Sequence, residues 1–183
     1  MFRTAILGFF LVVIGMNPVD VRANPAPSIL TVFGEIGVTN RGELREFSDT
    51  YMHYQGLAEF ESAYSFDQIS LAQLPQHTVV AHAEKWKGEH GKYSFSGPKL
   101  ETVLSHVQAE IEVVKVMALD GYSWEFQKSD LESRNLILAI HLNGVPLSVG
   151  GRGPLWLVEP TDYPVSDEIE AAWVWAVYLI EVQ

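Results

Sequence analysis

Three histidines with two acids among them, His77, His82, Glu84, Glu89 and His90, fall within 14 residues and are the densest set of groups able to hold a metal or move a proton. Metal ligands must converge, as at i, i+4 on a helix or i, i+2 on a strand, and His77-x4-His82-x7-His90 matches neither, so no metal site is expected. His82 and His141 read instead as structural strand residues. The second candidate is Arg152 in Gly150-Gly-Arg-Gly153, because an arginine between glycines can grip a carboxylate or phosphate bidentately. That glycine run lacks the strand–helix context of a phosphate loop and reads as a flexible loop, and no Gly-x-Ser-x-Gly elbow is present. Trp86, Tyr122 and Trp156 either line a ligand pocket or fill the core, and for aromatics in strands the core is the default.

The chain has no cysteine, which removes disulfides, thiolate metal sites, c-type haem attachment, cysteine nucleophiles and lipoprotein acylation together. Twelve Lys and Arg against 23 Asp and Glu give a formal charge of −11 over 183 residues. A phosphate backbone would be repelled, so no nucleic-acid partner is expected. The densest basic stretch, Lys85, Lys87, His90 and Lys92, alternates with Glu84 and Glu89 and reads as a solvated loop.

Arg3 precedes an apolar run from Thr4 to Met16, and Val21-Arg-Ala23 satisfies the small-residue rule, so residues 1–23 are expected to be a signal peptide cleaved after Ala23. The run is too short to cross a bilayer as a helix, and no later segment is long and apolar enough, so no membrane span is expected after cleavage. An exported protein follows, periplasmic or extracellular. Residues 24–183 carry 10 basic and 22 acidic groups, which suit one acidic domain.

The elements that must position these groups follow from periodicity. Residues 29–38 alternate like a first strand with two close-approach glycines, Gly34 and Gly37. Phe47, Tyr51, Tyr54 and Phe60 stand at near-helical spacing up to Tyr64, which predicts a helix or helical loop. Ser65-Phe-Asp-Gln68 predicts a capping box before a short helix closed by Pro75, and residues 78–84 a strand. Pro98 opens a helix whose Leu100, Val103, Leu104 and Val107 form one apolar stripe. Asp120-Gly121 turns a hairpin between residues 112–119 and 122–127. Residues 136–142 turn at Asn143-Gly144 into 145–149, and strands are expected at 156–158 and 173–182. Several strands with a few short helices, out of strict alternation, predict an α+β fold with a mixed, largely antiparallel sheet.

Six segments occur in an order that resembles the molybdopterin-binding domain of the sulfite oxidase family. They are Phe95-Ser-Gly-Pro-Lys-Leu-Glu-Thr-Val-Leu104, Ala118-Leu-Asp-Gly-Tyr-Ser123, Ser129-Asp-Leu131, Asn143-Gly-Val-Pro-Leu147, Gly153-Pro-Leu-Trp-Leu-Val158 and the closing Trp175-x-Val-x-x-Ile180-Glu-Val182. The likeness runs over about residues 29–182, with an insertion near 43–64, and most resembles short exported single-domain members. It implies that family's fold. It also implies a metal-ligating cysteine in a segment that here resembles His82-Ala-Glu-Lys-Trp86, so His82 stands where the thiolate would be. An imidazole cannot supply the thiolate-plus-dithiolene sulfur environment that oxo-transfer in the family uses. Trp156, Ala176 and Tyr178 stand near positions where the family can carry arginine or lysine.

The expectation is therefore an exported relative that binds no molybdopterin and works as a binding module for a small ligand or a partner protein. His82, Trp86, Asp120, Tyr122 and Arg152 would line the cleft left by the pterin, with no catalytic residue assigned. Two other readings stand beside it: a molybdopterin-dependent oxidoreductase with an atypical metal site, and a structural or interaction protein acting through the 43–64 insertion.

Overall fold

The computed structural model describes residues 26–43, 59–85, 89–162 and 166–183. The expected leader, Phe47, Tyr51 and Tyr54 of the insertion, and Trp86 lie outside them. The architecture is α+β with largely antiparallel sheets. One sheet has the order β2 (Arg41–Gly42), β3 (Ser62–Asp67), β1 (Ser28–Gly34), β12 (Val177–Val182), β6 (Val113–Ala118), β7 (Ser123–Gln127). A second has the order β10 (Val145–Pro146), β9 (His141–Leu142), β5 (Glu89–Pro98), β4 (Gln76–Lys85), and β11 (Trp156–Val158) pairs with β8 (Ile137–Ala139) as a third. Among these strands only β1 and β12 pair in parallel.

Alternation sets the layers. Val114, Val116 and Ala118 of β6 and Leu30 and Val32 of β1 point into the main core. There they meet Leu71 of α1 (Gln68–Gln73) and Leu100, Val103 and Leu104 of α2 (Leu100–His106). The β8–β11 pair is buried on both faces: Leu138 and Leu157 face this core, while Ile137, Ala139, Trp156 and Val158 face a second one roofed by Ala81, Ala83 and Phe95 of β4 and β5. Strands buried on both faces read as continuous apolar runs, which is how residues 136–140 and 155–158 appear in the sequence. Burial of this area is the main stabilising term.

Several expectations shift. The stretch before Tyr64 is not helical at its end: residues 62–67 form β3, because pairing Phe66 with Leu30, Tyr64 with Val32 and Ala63 with Phe33 satisfies the free backbone row of β1. Phe60 is not exposed but stacks 5.2 Å from Phe33, with the Arg41 guanidinium 5.4 Å over its ring. The capping box forms two residues later than Ser65. Asp67 Oδ1 accepts the Ser70 N–H at 2.7 Å, and Ser70 Oγ accepts the Asp67 N–H at 2.9 Å. Pro98 ends β5 rather than opening α2, whose N-cap is Lys99. Lys85 and Lys92 belong to a hairpin in register from Gln76↔Pro98 to Lys85↔Glu89, not to a loop. Both close-approach glycines hold: a Cβ on Gly37 would press on Gln108, and one on Gly34 would strike the Val182 carbonyl oxygen.

The Asp67 cap gives a pH-dependent prediction. The Ser70 backbone N–H, and then its hydroxyl, hold the carboxyl below its usual 3.8. A group whose folded pKa is lowered contributes stability above its unfolded value and loses it as pH falls through the folded one. Asp67→Ala is expected to cost about 1 kcal/mol at neutral pH. In urea denaturation the gap to wild type should narrow below pH 3.8; a gap constant to lower pH would refute the charged cap.

Candidate functional site

The β6–β7 turn builds the first wall of a cleft. Asp120 Oδ1 accepts the Tyr122 N–H at 3.0 Å, an Asx turn that also frees Gly121 to donate to the Ala118 carbonyl at 3.0 Å. Tyr122 then reaches across the cleft edge and donates its hydroxyl to the Ala171 carbonyl at 2.7 Å. Ala171 closes α4 (Asp167–Ala171), capped by Ser166, whose Oγ accepts the Ile169 N–H. Asp167 and Glu170 lie three apart, hence on one helical face, and both line the cleft.

The far wall comes from the segment after α4. Residues 173–175 do not belong to the last strand, as the sequence pattern suggests. Ala176 takes a φ of 51°, and this break lets the chain change neighbours. Before it, Trp175 bridges Trp156 and the Leu157 N–H donates to the Val174 carbonyl at 2.8 Å; after it, β12 enters the large sheet. Alternation across this short pairing sends Ala172 and Val174 into the main core and leaves Trp173 and Trp175 facing the cleft. Trp173 is oriented by its indole N–H, 3.4 Å from Glu159 Oε1. Glu159 itself holds Arg134 bidentately at 2.6 and 2.9 Å.

Arg152 sits at the back. Its loop is pinned rather than free: the Ala176 N–H donates to the Arg152 carbonyl at 2.8 Å, and buried Gly153 packs so closely on the Leu147–Ser148 backbone that a Cβ would clash. This delivers the guanidinium carbon 4.5 Å from the Trp156 ring centroid and 4.6 Å from that of Trp175, a cation held in the fork of two indoles. Trp156 both fills the core and walls the cleft. It packs edge-on to Phe95 at 5.0 Å, is 3% exposed, and its indole N–H has no acceptor among the described residues.

The resulting cleft holds about 340 Å³ and is lined by Asp120, Tyr122, Arg152, Trp156, Asp167, Glu170, Ala171, Trp173 and Trp175. That volume lies at the lower end of small-molecule sites. Of the residues expected from the sequence, Asp120, Tyr122 and Arg152 come together here. His82 does not line the cleft. It stands on β4 with its backbone N–H donating to Thr161 Oγ1 at 2.8 Å, on the face opposite Ala81 and Ala83. His77, an odd number of residues away, points to the other face of β4. Among the described residues no three His, Asp or Glu side chains are grouped to hold a metal ion.

Sequence reasoning missed Asp167, Glu170, Trp173 and Trp175. The signals were present: the Trp-x-Trp alternation was absorbed into the expectation of a closing strand at 173–182, and the i, i+3 acid pair fell in a stretch for which no element was expected. Three carboxylates and one guanidinium join four aromatic side chains in the lining, which is therefore net negative. Among the described residues no helix is long and apolar enough to cross a membrane. No family model matches this chain, and no curated protein is found to be similar to it.

Proposed function

We propose that the protein is an exported binding module that takes a small ligand in the cleft between the β6–β7 turn, α4 and the Trp173–Trp175 segment. The observation that carries this reading is convergence: four aromatic side chains, three carboxylates and a guanidinium reach one concavity from three separate stretches of chain, 120–122, 152–156 and 167–175. Aromatic walls with a few placed polar groups are the usual composition of a ligand site.

The lining does not fit the phosphate-bearing pterin that the family resemblance implies. Its phosphate would meet Asp120, Asp167 and Glu170, while Arg152 is already stacked between two indoles. No cysteine exists to ligate molybdenum, and His82, at the position resembling the ligand, is not in the cleft lining and lies on the face of β4 opposite Ala81 and Ala83. These points support a cofactor-free binder over an oxidoreductase.

Two measurements test it. Three of the five tryptophans line the cleft, so intrinsic fluorescence titrated with a panel of small cations, neutral compounds and carboxylates should change saturably for at least one class. Elemental analysis of protein made in a host competent in pterin cofactor synthesis should give no molybdenum. About one atom per chain would replace the binder with the oxidoreductase.

A further inference from the structure

The geometry points to a ligand class: the cleft takes a small organic cation of low charge density, a quaternary or alkylated ammonium, against its aromatic walls. This deepens the binding-module reading and rests on it. Three observations carry it.

The first is charge. Asp120, Asp167 and Glu170 against Arg152 leave a net negative lining in a chain that is itself acidic, so a cation is drawn in and an anion resisted. The second is the placement of that charge. The carboxylates come from two separate elements, the β6–β7 turn and α4, and no three acidic or histidine side chains among the described residues are grouped to chelate a metal ion. A spread of charge over aromatic faces suits a bulky cation that sheds its water easily, whereas a small hard ion needs converged oxygens. The third is that these rings already hold a cation. The Arg152 guanidinium lies 4.5 and 4.6 Å from two of the four aromatic centroids, within the range at which an aromatic face attracts positive charge.

Arg152 is thus the internal occupant of one part of the cage. Tyr122 and half-exposed Trp175 remain as open walls for an incoming ammonium above the largely buried Trp173, with Asp167 and Glu170 on the same lining. An external cation and the guanidinium repel each other, so Arg152 weakens binding rather than making it. This sign separates the proposal from the alternative in which Arg152 grips a ligand's carboxylate or phosphate.

The test uses the full chain and three probes followed by tryptophan fluorescence: choline, its uncharged analogue with carbon in place of nitrogen, and acetate. Choline is expected to bind saturably, about tenfold tighter than the uncharged analogue, and more weakly as salt is raised. Arg152→Gln is expected to tighten choline binding several-fold, and Glu170→Gln and Trp175→Leu to weaken it, with thermal melts checking that each variant folds. Equal binding of choline and its uncharged analogue would overturn the cation inference while leaving the binding module standing. So would tighter binding of acetate that Arg152→Gln abolishes. Absence of saturable binding by all three probes, and by the wider panel, would remove both readings.

Discussion

Gly34→Ala is expected to destabilise the protein by about 4 kcal/mol, a fall in Tm of about 10 °C for a chain of this size. Gly34 ends β1 opposite Val182 in the parallel pair at the centre of the six-stranded sheet. Its φ is +97°, where a side chain is strained, and an added Cβ would lie on the Val182 carbonyl oxygen, closer than real Cβ contacts come. That oxygen also accepts the Glu35 N–H at 3.0 Å, so it cannot move aside without losing a backbone hydrogen bond. The remaining relief is to part β1 from β12, which opens the main core at Val32 and Ile180. Gly144→Ala separates the two causes: its φ is +78°, but nothing lies within 4 Å of the added Cβ. It should cost only the backbone term, about 1 kcal/mol. Equal losses in the two variants, measured by calorimetry, would show that close approach at Gly34 does not matter.

Glu159→Ala should cost about 3 kcal/mol and also loosen the cleft. Glu159 and Arg134 are 14% and 22% exposed at their side chains and joined by two hydrogen bonds, with the guanidinium 5.4 Å from the Phe126 ring. Removing the carboxylate strands Arg134 in a half-buried position and leaves the Trp173 N–H without its acceptor. Breaking one side of such a pair costs more than the pair contributes, because the remaining charge stays desolvated. Trp173 would then lose its orientation, so ligand-dependent fluorescence should weaken along with stability. Glu125→Ala is the contrast. Its bridge to Lys115 spans 3.8 Å on the surface, and its loss should change stability by less than about 0.5 kcal/mol. A Glu159→Ala variant as stable as Glu125→Ala would show that the buried clamp contributes nothing.

The elements legible in the sequence were those whose signal is local. Asp120-Gly121 between alternating strands specifies the hairpin because the turn and the period-two pattern act within about fifteen residues. The stripe Leu100, Val103, Leu104 and Val107 specifies α2 because one helical face can bury itself only one way. The two crowded glycines, Gly34 at the end of β1 and Gly37 just beyond it, were legible for a similar reason: small residues amid β-branched ones mark close approach. Asp120, Tyr122 and Arg152 were singled out by residue type, and the fold unites them.

What tertiary structure decided was choice of neighbour. The apolar run 136–142 looks like one strand, yet Ile140 donates to the Ser96 carbonyl at 2.8 Å and splits it, so β8 joins β11 and β9 joins β5. Residues 62–67, at the end of the stretch read as helical, are instead a strand on the edge of β1. The run 173–182 likewise serves two partners, and only the turn at Ala176 reveals that Trp173 and Trp175 belong to the cleft rather than to the closing strand. Spacing and propensity determined which segments of this chain are strands, helices and turns, because those forces act over a few residues. The edges left open by distant strands determined which segments meet. The acids of α4, the indoles beyond them and the arginine of the glycine loop share one cleft because long-range backbone pairing places them there, and no local pattern records that pairing.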